Sequence, residues 1–331
     1  MVYREWLEQW LNAKSAKVKE SSYSSYKINI DTHIIPLLGD KEVEEIDEDM
    51  LQDVLDLMEK SGNRKTGQKL SEKTIKEVIR LIKTTIKAYC KKYKISAPFF
   101  DDLEFARSSG SSCEVFTKDE QRKLLSVVIK SKKAKAVGVG LGLLEGMRIG
   151  EIAALKWDDI DMDEQIIEIR GTLQRIYRNS EGSETKSQIV IGTPKTTNSQ
   201  RTIPFGTTLR ILLQAIIPDS PEGKYVLTGT DKPMEPRNLR SFYYKLLKEN
   251  GLRKLKFHSL RHTFGTKCIT CGIDPATLCK IMGHANPTIT INLYCHPGLE
   301  DMKNAIKEVD STWLKSKEKE ESDYDFDDIM K

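Results

Sequence analysis

Residues 256–297, KFHSLRHTFGTKCITCGIDPATLCKIMGHANPTITINLYCHP, constrain the fold more than any other stretch of the chain. Glycine and proline cut this stretch into three short helices. Gly272 stops the first, Pro275 starts the second, Gly283-His284 ends that one, and Pro287 opens the third, which carries Tyr294. His258 and Arg261 stand three residues apart at the start of the first helix, so they face the same way, while Leu260, Phe264 and Ile269 fall elsewhere. A small anion can sit between those two donors. Taken singly, a His-x-x-Arg pair is an ordinary solvated or capping arrangement, and a tyrosine is an ordinary half-buried anchor. Taken together they form the set a phosphodiester needs: positive donors for its oxygens and a hydroxyl that can attack.

A length of 331 residues predicts about two domains, each able to bury its own core. With 38% hydrophobic and 31% charged residues, the composition is that of a globular protein. No secretory apolar segment follows Met1 and no apolar run is long enough to span a bilayer, so the expectation is a cytoplasmic protein without a membrane partner. Six irregularly spaced cysteines do not make a disulfide framework. Residues 315–331 hold four lysines against seven acids, a net −3, so the +4 of the whole chain leaves +7 on the body. A basic body with an acidic, disordered tail fits a polyanionic partner.

The first hundred residues have helical spacing. Val2, Tyr3, Trp6, Leu7, Trp10 and Leu11 recur on one face. A second helix is expected over residues 22–33, stopped by Pro36 and Gly39, and Asp47 is placed to cap a third. Residues 61–67 form a loop. The fourth helix, residues 71–93, buries Ile75, Val78, Ile79, Ile82, Ile86 and Tyr89, and carries Lys76, Arg80, Lys83 and Lys87 on a separate stripe. Such a stripe is often only a solvated face. Beside a phosphate-handling domain it becomes a DNA-backbone contact.

Residues 96–115 lose periodicity and gain Ser, Gly and Pro, as a linker does, and Thr117-Lys-Asp-Glu120 then forms a capping box. Residues 134–144 make a small-residue apolar helix that leads into Glu145-Gly-Met-Arg148-Ile-Gly-Glu151, where Arg148 sits at a corner flanked by glycines. Three β-branched runs follow at 165–172, 187–192 and 201–205, with the spacing of an antiparallel meander, and Lys195 lies on its second turn. Helices resume over 207–217 and 236–250.

These residues, in this order, resemble the tyrosine recombinase (phage-integrase) family over nearly the whole chain. Trp6-Leu-x-x-Trp10, Tyr26, His33-Ile-Ile-Pro-Leu-Leu-Gly39 and the Leu70-Ser71 helix resemble its core-binding domain. The resemblance implies a mainly α fold with a small antiparallel β-sheet: a helical, SAM-like core-binding domain over 1–98, a linker over 99–115, and an α+β catalytic domain over 116–297. It further implies a C-terminal helix over 298–314 that docks on a neighbouring protomer, followed by the tail. Carried over residue by residue, the catalytic set is Arg148, the hairpin Lys195, His258, Arg261, His284 and the nucleophile Tyr294. The activity implied is site-specific recombination of double-stranded DNA in a homo-tetramer, through a 3′-phosphotyrosyl link and a Holliday junction. It needs no cofactor, and an accessory DNA-bending or directionality protein can assist. Such a protein is DNA-associated and bacterial or phage-encoded. Many integrases of phages and conjugative elements add an arm-binding domain before the core-binding one, and none is visible in this sequence.

Rival readings fit the residues less well. His258, His262, Cys268, Cys271, Cys279, His284, Cys295 and His296 hold the ligand types of a zinc site, but Cys268-x-x-Cys271 falls inside an amphipathic helix rather than at a knuckle. A metal-dependent nuclease needs clustered acids near the donors, and Asp158, Asp159 and Asp161 cap a distant helix. A type IB topoisomerase shares the tyrosine chemistry, and a non-catalytic DNA-binding regulator would not need it.

Overall fold

The computed structural model describes residues 1–62, 66–96, 98, 100, 103–105, 114–177, 187–192, 200–284, 286–295 and 299–315. The expected linker and acidic tail, Lys195, and the Pro297-Gly298 corner therefore lie wholly or largely outside the described residues. The chain forms two compact units, residues 1–112 with 173–192, and residues 113–172 with 193–331.

In the first unit, α1 (Tyr3–Ser15) buries Tyr3, Trp6, Leu7, Trp10 and Leu11 on one face, as their spacing predicts. Next come α2 (Glu20–Asn29), a wider π-type turn over Ile30–Ile34, and α3 (Ile35–Leu38). The expected stop at Pro36 is not observed. The helical run passes through Pro36, just beyond the π-type turn, and ends at Leu38 before Gly39. Asp47 caps α4 (Glu48–Ser61) by accepting from the Met50 N–H at 2.9 Å. Ser71 likewise caps α5 (Glu72–Tyr93), whose apolar stripe from Ile75 to Tyr89 is buried. Two polar anchors fix α1 against α5: the Tyr3 hydroxyl meets Thr85 Oγ1 at 2.6 Å, and Trp6 Nε1 donates to the Thr85 carbonyl at 2.8 Å.

The second unit opens with the capping box. Thr117 Oγ1 accepts from the Glu120 N–H, and the Glu120 carboxylate accepts from the Thr117 N–H, at the start of α6 (Lys118–Ser131). The next helix, α7 (Ala134–Leu144), is buried along almost its whole length. A short α8 (Ile149–Ala154) leads to strands β1 (Ile160–Asp161) and β2 (Ile166–Ile169). The chain continues through β3 (Thr172–Tyr177) and β4 (Ser187–Gly192), whose residues from Leu173 on count with the first unit, and returns at β5 (Arg201–Pro204). Helices α9 (Thr207–Gln214), α10 (Pro236–Glu249), α11 (His258–Thr270), α12 (Pro275–Met282), α13 (Pro287–Tyr294) and α14 (Leu299–Lys315) complete it.

The sheet differs from a simple meander. β5 pairs antiparallel with β2, which pairs antiparallel with β1, while β3 and β4 form a separate two-stranded sheet. Ile167 stands opposite Ile160 on one side and Ile203 on the other, and Ile167 and Ile203 are fully buried. A continuous core of Val137, Leu141, Ile167, Ile203, Leu239, Tyr243 and Leu260 joins this sheet to the helices. Cutting back a fully buried leucine such as Leu260 costs about 2–5 kcal/mol. No helix among the described residues is long and apolar enough to cross a membrane.

Candidate active site

Four segments of the second unit meet at one place: the α7–α8 corner, the start of β5, the first turns of α11, and the α12–α13 pair. The corner is made by Gly146, whose φ of +61° favours glycine, and a Cβ there would lie 2.5 Å from Phe264 Cδ1. Arg148 follows as the residue just before α8, and its backbone N–H donates to Glu151 Oε2 at 2.9 Å. Its guanidinium donates to Glu151 Oε1 at 2.7 Å and to the Gly283 carbonyl at 3.1 Å.

Glu151 has a side chain only 3% exposed and also accepts from both terminal nitrogens of Arg201, at 3.1 and 3.0 Å. Burial pulls its pKa up, but the bonds and charge of Arg201, and then Arg148, outweigh it and hold the carboxyl below its ordinary value. Arg201 Nε donates to the Ile281 carbonyl at 2.6 Å. Arg261, 1% exposed, donates to the Gly146 carbonyl at 2.7 Å and to the Met282 carbonyl at 2.5 Å. Three guanidiniums thus fasten on three consecutive carbonyls, 281, 282 and 283, at the C-terminus of α12, where the helix dipole is negative. Three cations against the Glu151 carboxylate leave a local excess of about two positive charges, which favours an anion.

His258 is the first residue of α11, and its pKa is pushed down to about 4 by burial, then by His262, Arg261 and Arg148. His284, just past the α12 C-cap Gly283, bonds through Nδ1 to Thr290 Oγ1 at 2.8 Å. Its pKa is also pushed down to about 4, by burial and then by Arg261, Arg148 and Arg201. At pH 7 both rings are neutral N–H donors. Burial, then Arg148, brings the Arg261 pKa down to about 9, which still leaves it charged.

Tyr294 ends α13 and is buried. Its ring lies flat against α11 at Gly265, where a Cβ would stand 2.6 Å from Tyr294 Cζ. Its hydroxyl is 3.0 Å from His262 Nδ1, and its ring lies near-parallel to His284, with centroids 6.4 Å apart.

The structure therefore gathers Arg148, His258, Arg261, His284 and Tyr294, five of the six residues singled out, and Lys195 lies outside the described residues. Glu151, Arg201 and His262, none of them in the catalytic set expected from the sequence, join them. A signal for Glu151 was present in the chain, an acid three residues past Arg148 in the first turn of a helix. Among the described residues, no three His, Cys, Asp or Glu side chains come together as metal ligands would.

The basic stripe of α5 belongs to the first unit. Arg80 and Lys87 are exposed. Lys83 instead donates to the Phe100 carbonyl and lies 6.0 Å from that ring's centroid, and Lys76 pairs with Glu72 and lies 5.8 Å from the Phe105 ring. Two of the four charges are thus held locally.

Comparison with known proteins agrees with this geometry. Residues 114–300 match the model of the phage integrase family, and residues 2–58 match the N-terminal SAM-like domain of phage integrases. A XerC-like tyrosine recombinase of Caldanaerobacter subterraneus subsp. tengcongensis is 27% identical over 277 residues, covering 76% of this chain and 69% of the relative. The transposase of transposon Tn916 from Enterococcus faecalis is 28% identical over 216 residues, 59% of this chain, and the match spans about half (51%) of that relative's length. Among solved structures, residues 82–397 of the Tn1549 transposon integrase, in complex with circular intermediate DNA, align with a TM-score of 0.72. The identity is 21%, over 93% of this chain and all of that one. Residues 75–356 of lambda integrase, as a dimer on a core site, align with a TM-score of 0.63 at 17% identity, over 90% of this chain and 97% of that one. Both structures share the fold. With the family model covering more than half of its residues, the chain belongs to the phage integrase family of tyrosine recombinases.

Proposed function

We propose that the chain is a site-specific DNA recombinase that cuts and rejoins double-stranded DNA through a covalent link at Tyr294. The observation that carries this is the Arg148–Glu151–Arg201–Arg261 cluster, with its excess positive charge, in the same site as the Tyr294 hydroxyl. A scissile phosphate held there presents its non-bridging oxygens to Arg148, the most open of the three guanidiniums, with Arg261 behind it. Arg261 has two of its five N–H groups engaged by carbonyls, so donors remain. His258 and His284 add neutral donors. Tyr294 Oη attacks phosphorus, the bond to the 5′-oxygen breaks, and a 3′-phosphotyrosyl link remains. Lys195 delivers a proton to the departing 5′-oxygen. That link conserves the phosphodiester's bond energy, so rejoining needs neither metal nor nucleotide. Donors fixed in advance around the developing charge each supply about 10²–10³ in rate.

Strand exchange needs two sites brought together, and the reading includes a synaptic tetramer that passes through a Holliday junction. Its support is α14, whose Leu299, Met302, Ile306 and Val309 are all at least half exposed. Arg80 and Lys87, both exposed on α5, contact the DNA backbone in the first domain.

The test is covalent trapping of DNA. Wild-type protein incubated with randomised duplexes, with and without EDTA, should yield protein–DNA adducts that survive denaturation equally in both. Tyr294→Phe loses only a hydroxyl and should bind the same duplexes without forming adducts. Adducts of wild-type yield from the Phe variant would remove Tyr294 from the mechanism.

A further inference from the structure

Resting on the recombinase proposal, we propose that His262 is the general base that takes the proton from Tyr294 as it attacks. The HxxR pair draws attention to His258 and Arg261, but the imidazole in direct contact with the tyrosine hydroxyl is the next residue along. His262 Nδ1 lies 3.0 Å from Tyr294 Oη, within the range for direct proton transfer. Two features hold this pair in place. Gly265, one turn beyond His262 on α11, leaves the space that the Tyr294 ring fills. His258 packs edge-on against His262, with centroids 4.6 Å apart at 89°, which fixes the plane of the His262 ring.

The groups facing His262 are His258 and Arg261 from its own helix and Tyr294 from α13. His258 is neutral at pH 7, so Arg261 is the one cation among them. Burial, then Arg261, lowers the His262 pKa below the ordinary value of 6.5. The ring is therefore unprotonated and able to accept at neutral pH. With its own proton on Nε2, Nδ1 accepts from the tyrosine hydroxyl.

The step balances. The Oη–H bond breaks and its proton passes to His262 Nδ1. The Oη–P bond forms as the P–O5′ bond breaks, and the leaving oxygen takes a proton from another donor, Lys195 in the proposed mechanism. In rejoining, the imidazolium returns its proton to Tyr294 Oη as the phosphotyrosyl bond is cleaved. One histidine therefore serves as base for cutting and as acid for resealing.

The experiment uses duplexes selected by wild-type covalent trapping, rebuilt with a nick beside the cleavage position so that cutting is irreversible. Adduct formation is followed in single turnover across pH 4.5–9 for wild type, His262→Asn, His262→Ala and Tyr294→Phe. Asn keeps a polar group where Nδ1 stood but cannot take a proton, and thermal melting confirms that it folds. We expect duplex affinity within about twofold of wild type and adduct formation slower by about 10²-fold or more. The acid limb of the wild-type rate profile, where His262 becomes protonated, should vanish in both His262 variants. Added imidazole should partly restore His262→Ala and leave Tyr294→Phe inactive. Wild-type rates from His262→Asn would overturn the assignment. So would a loss that leaves the acid limb in place and does not respond to imidazole, since that marks packing alone. A wild-type protein that forms no adduct would instead remove the recombinase proposal itself.

Discussion

Arg148 and Arg261 carry the same charge in different surroundings, and the difference sets what each substitution should do. Arg261 is enclosed between two backbone carbonyls, so its loss would unmake the fold of the site as well as its charge. The Arg148 side chain is 35% exposed and uses its fork on Glu151 and Gly283 while still reaching solvent. Arg148→Lys keeps the charge but cannot serve those partners and two phosphate oxygens at once. Adduct formation should fall about 10²–10³-fold while duplex affinity falls less than about tenfold. Equal losses in both assays would make Arg148 a binding residue only. Three residues earlier, burial raises the Glu145 carboxyl from its ordinary 4.5 to about 8, only partly offset by the Gly206 backbone N–H. The folded state thus keeps a proton that the unfolded chain releases. Its contribution to stability is complete below pH 4.5 and is lost as pH rises through about 8. Glu145→Gln has the same shape and stays neutral. Urea unfolding at pH 5 and pH 8.5 should show the variant gaining on wild type by a few kcal/mol over that interval. An unchanged gap would mean that the carboxylate is fully compensated in the fold.

At the scale of single elements, α5 shows how a sequence pattern divides once side chains find partners. Lys76 and Lys83 are engaged within their own unit, so the test of the stripe falls on Arg80 and Lys87. Replacing both with Ala should lower the slope of log affinity against log salt by about 0.9 for each phosphate no longer neutralised. An unchanged slope would return that face to solvent. Lys83 was not separable in the chain, because the Phe100 carbonyl that holds it lies 17 residues away, whereas the Glu72 partner of Lys76 stands one helical turn earlier and was readable. The same distinction runs through the site. The borders of α11, α12 and α13 were legible, since Gly272, Pro275, Gly283 and Pro287 act on their own backbone. Arg201 was legible only as a strand residue. Its meaning comes from Glu151, 50 positions away, and from the Ile281 carbonyl, 80 positions away. The three β-branched runs showed strands but not their partners, and the structure splits them between two sheets. Local chemistry could be read along the chain, whereas pairings closed by long loops could not.

For the whole molecule, the open question is what covers α14. Its apolar positions Leu299, Met302, Ile306 and Val309 recur at alternating spacings of three and four, the repeat of a helix packed along a seam. In this chain they stand 50–69% exposed. Trp313 continues the repeat, and its side chain lies outside the described residues. Four apolar side chains in one line on a single helix make a surface that another surface normally covers. A second copy of the chain fits the proposed reaction, because exchanging strands between two sites requires each active site to be coupled to its neighbour. Coupling of this kind separates two assays that otherwise move together. Stopping the chain after Leu314 removes the last residue of α14 and the net-acidic tail beyond it, and should preserve recombination. Stopping it after Gly298 removes α14 whole. The shortened protein should still bind one site with unchanged affinity, because the residues proposed to contact DNA and the site cluster are all retained. It should fail to bring two sites together in native gels and should produce no recombinant DNA. If it recombines two sites at the full-length rate, α14 is a local cover for its own domain and assembly rests on another surface.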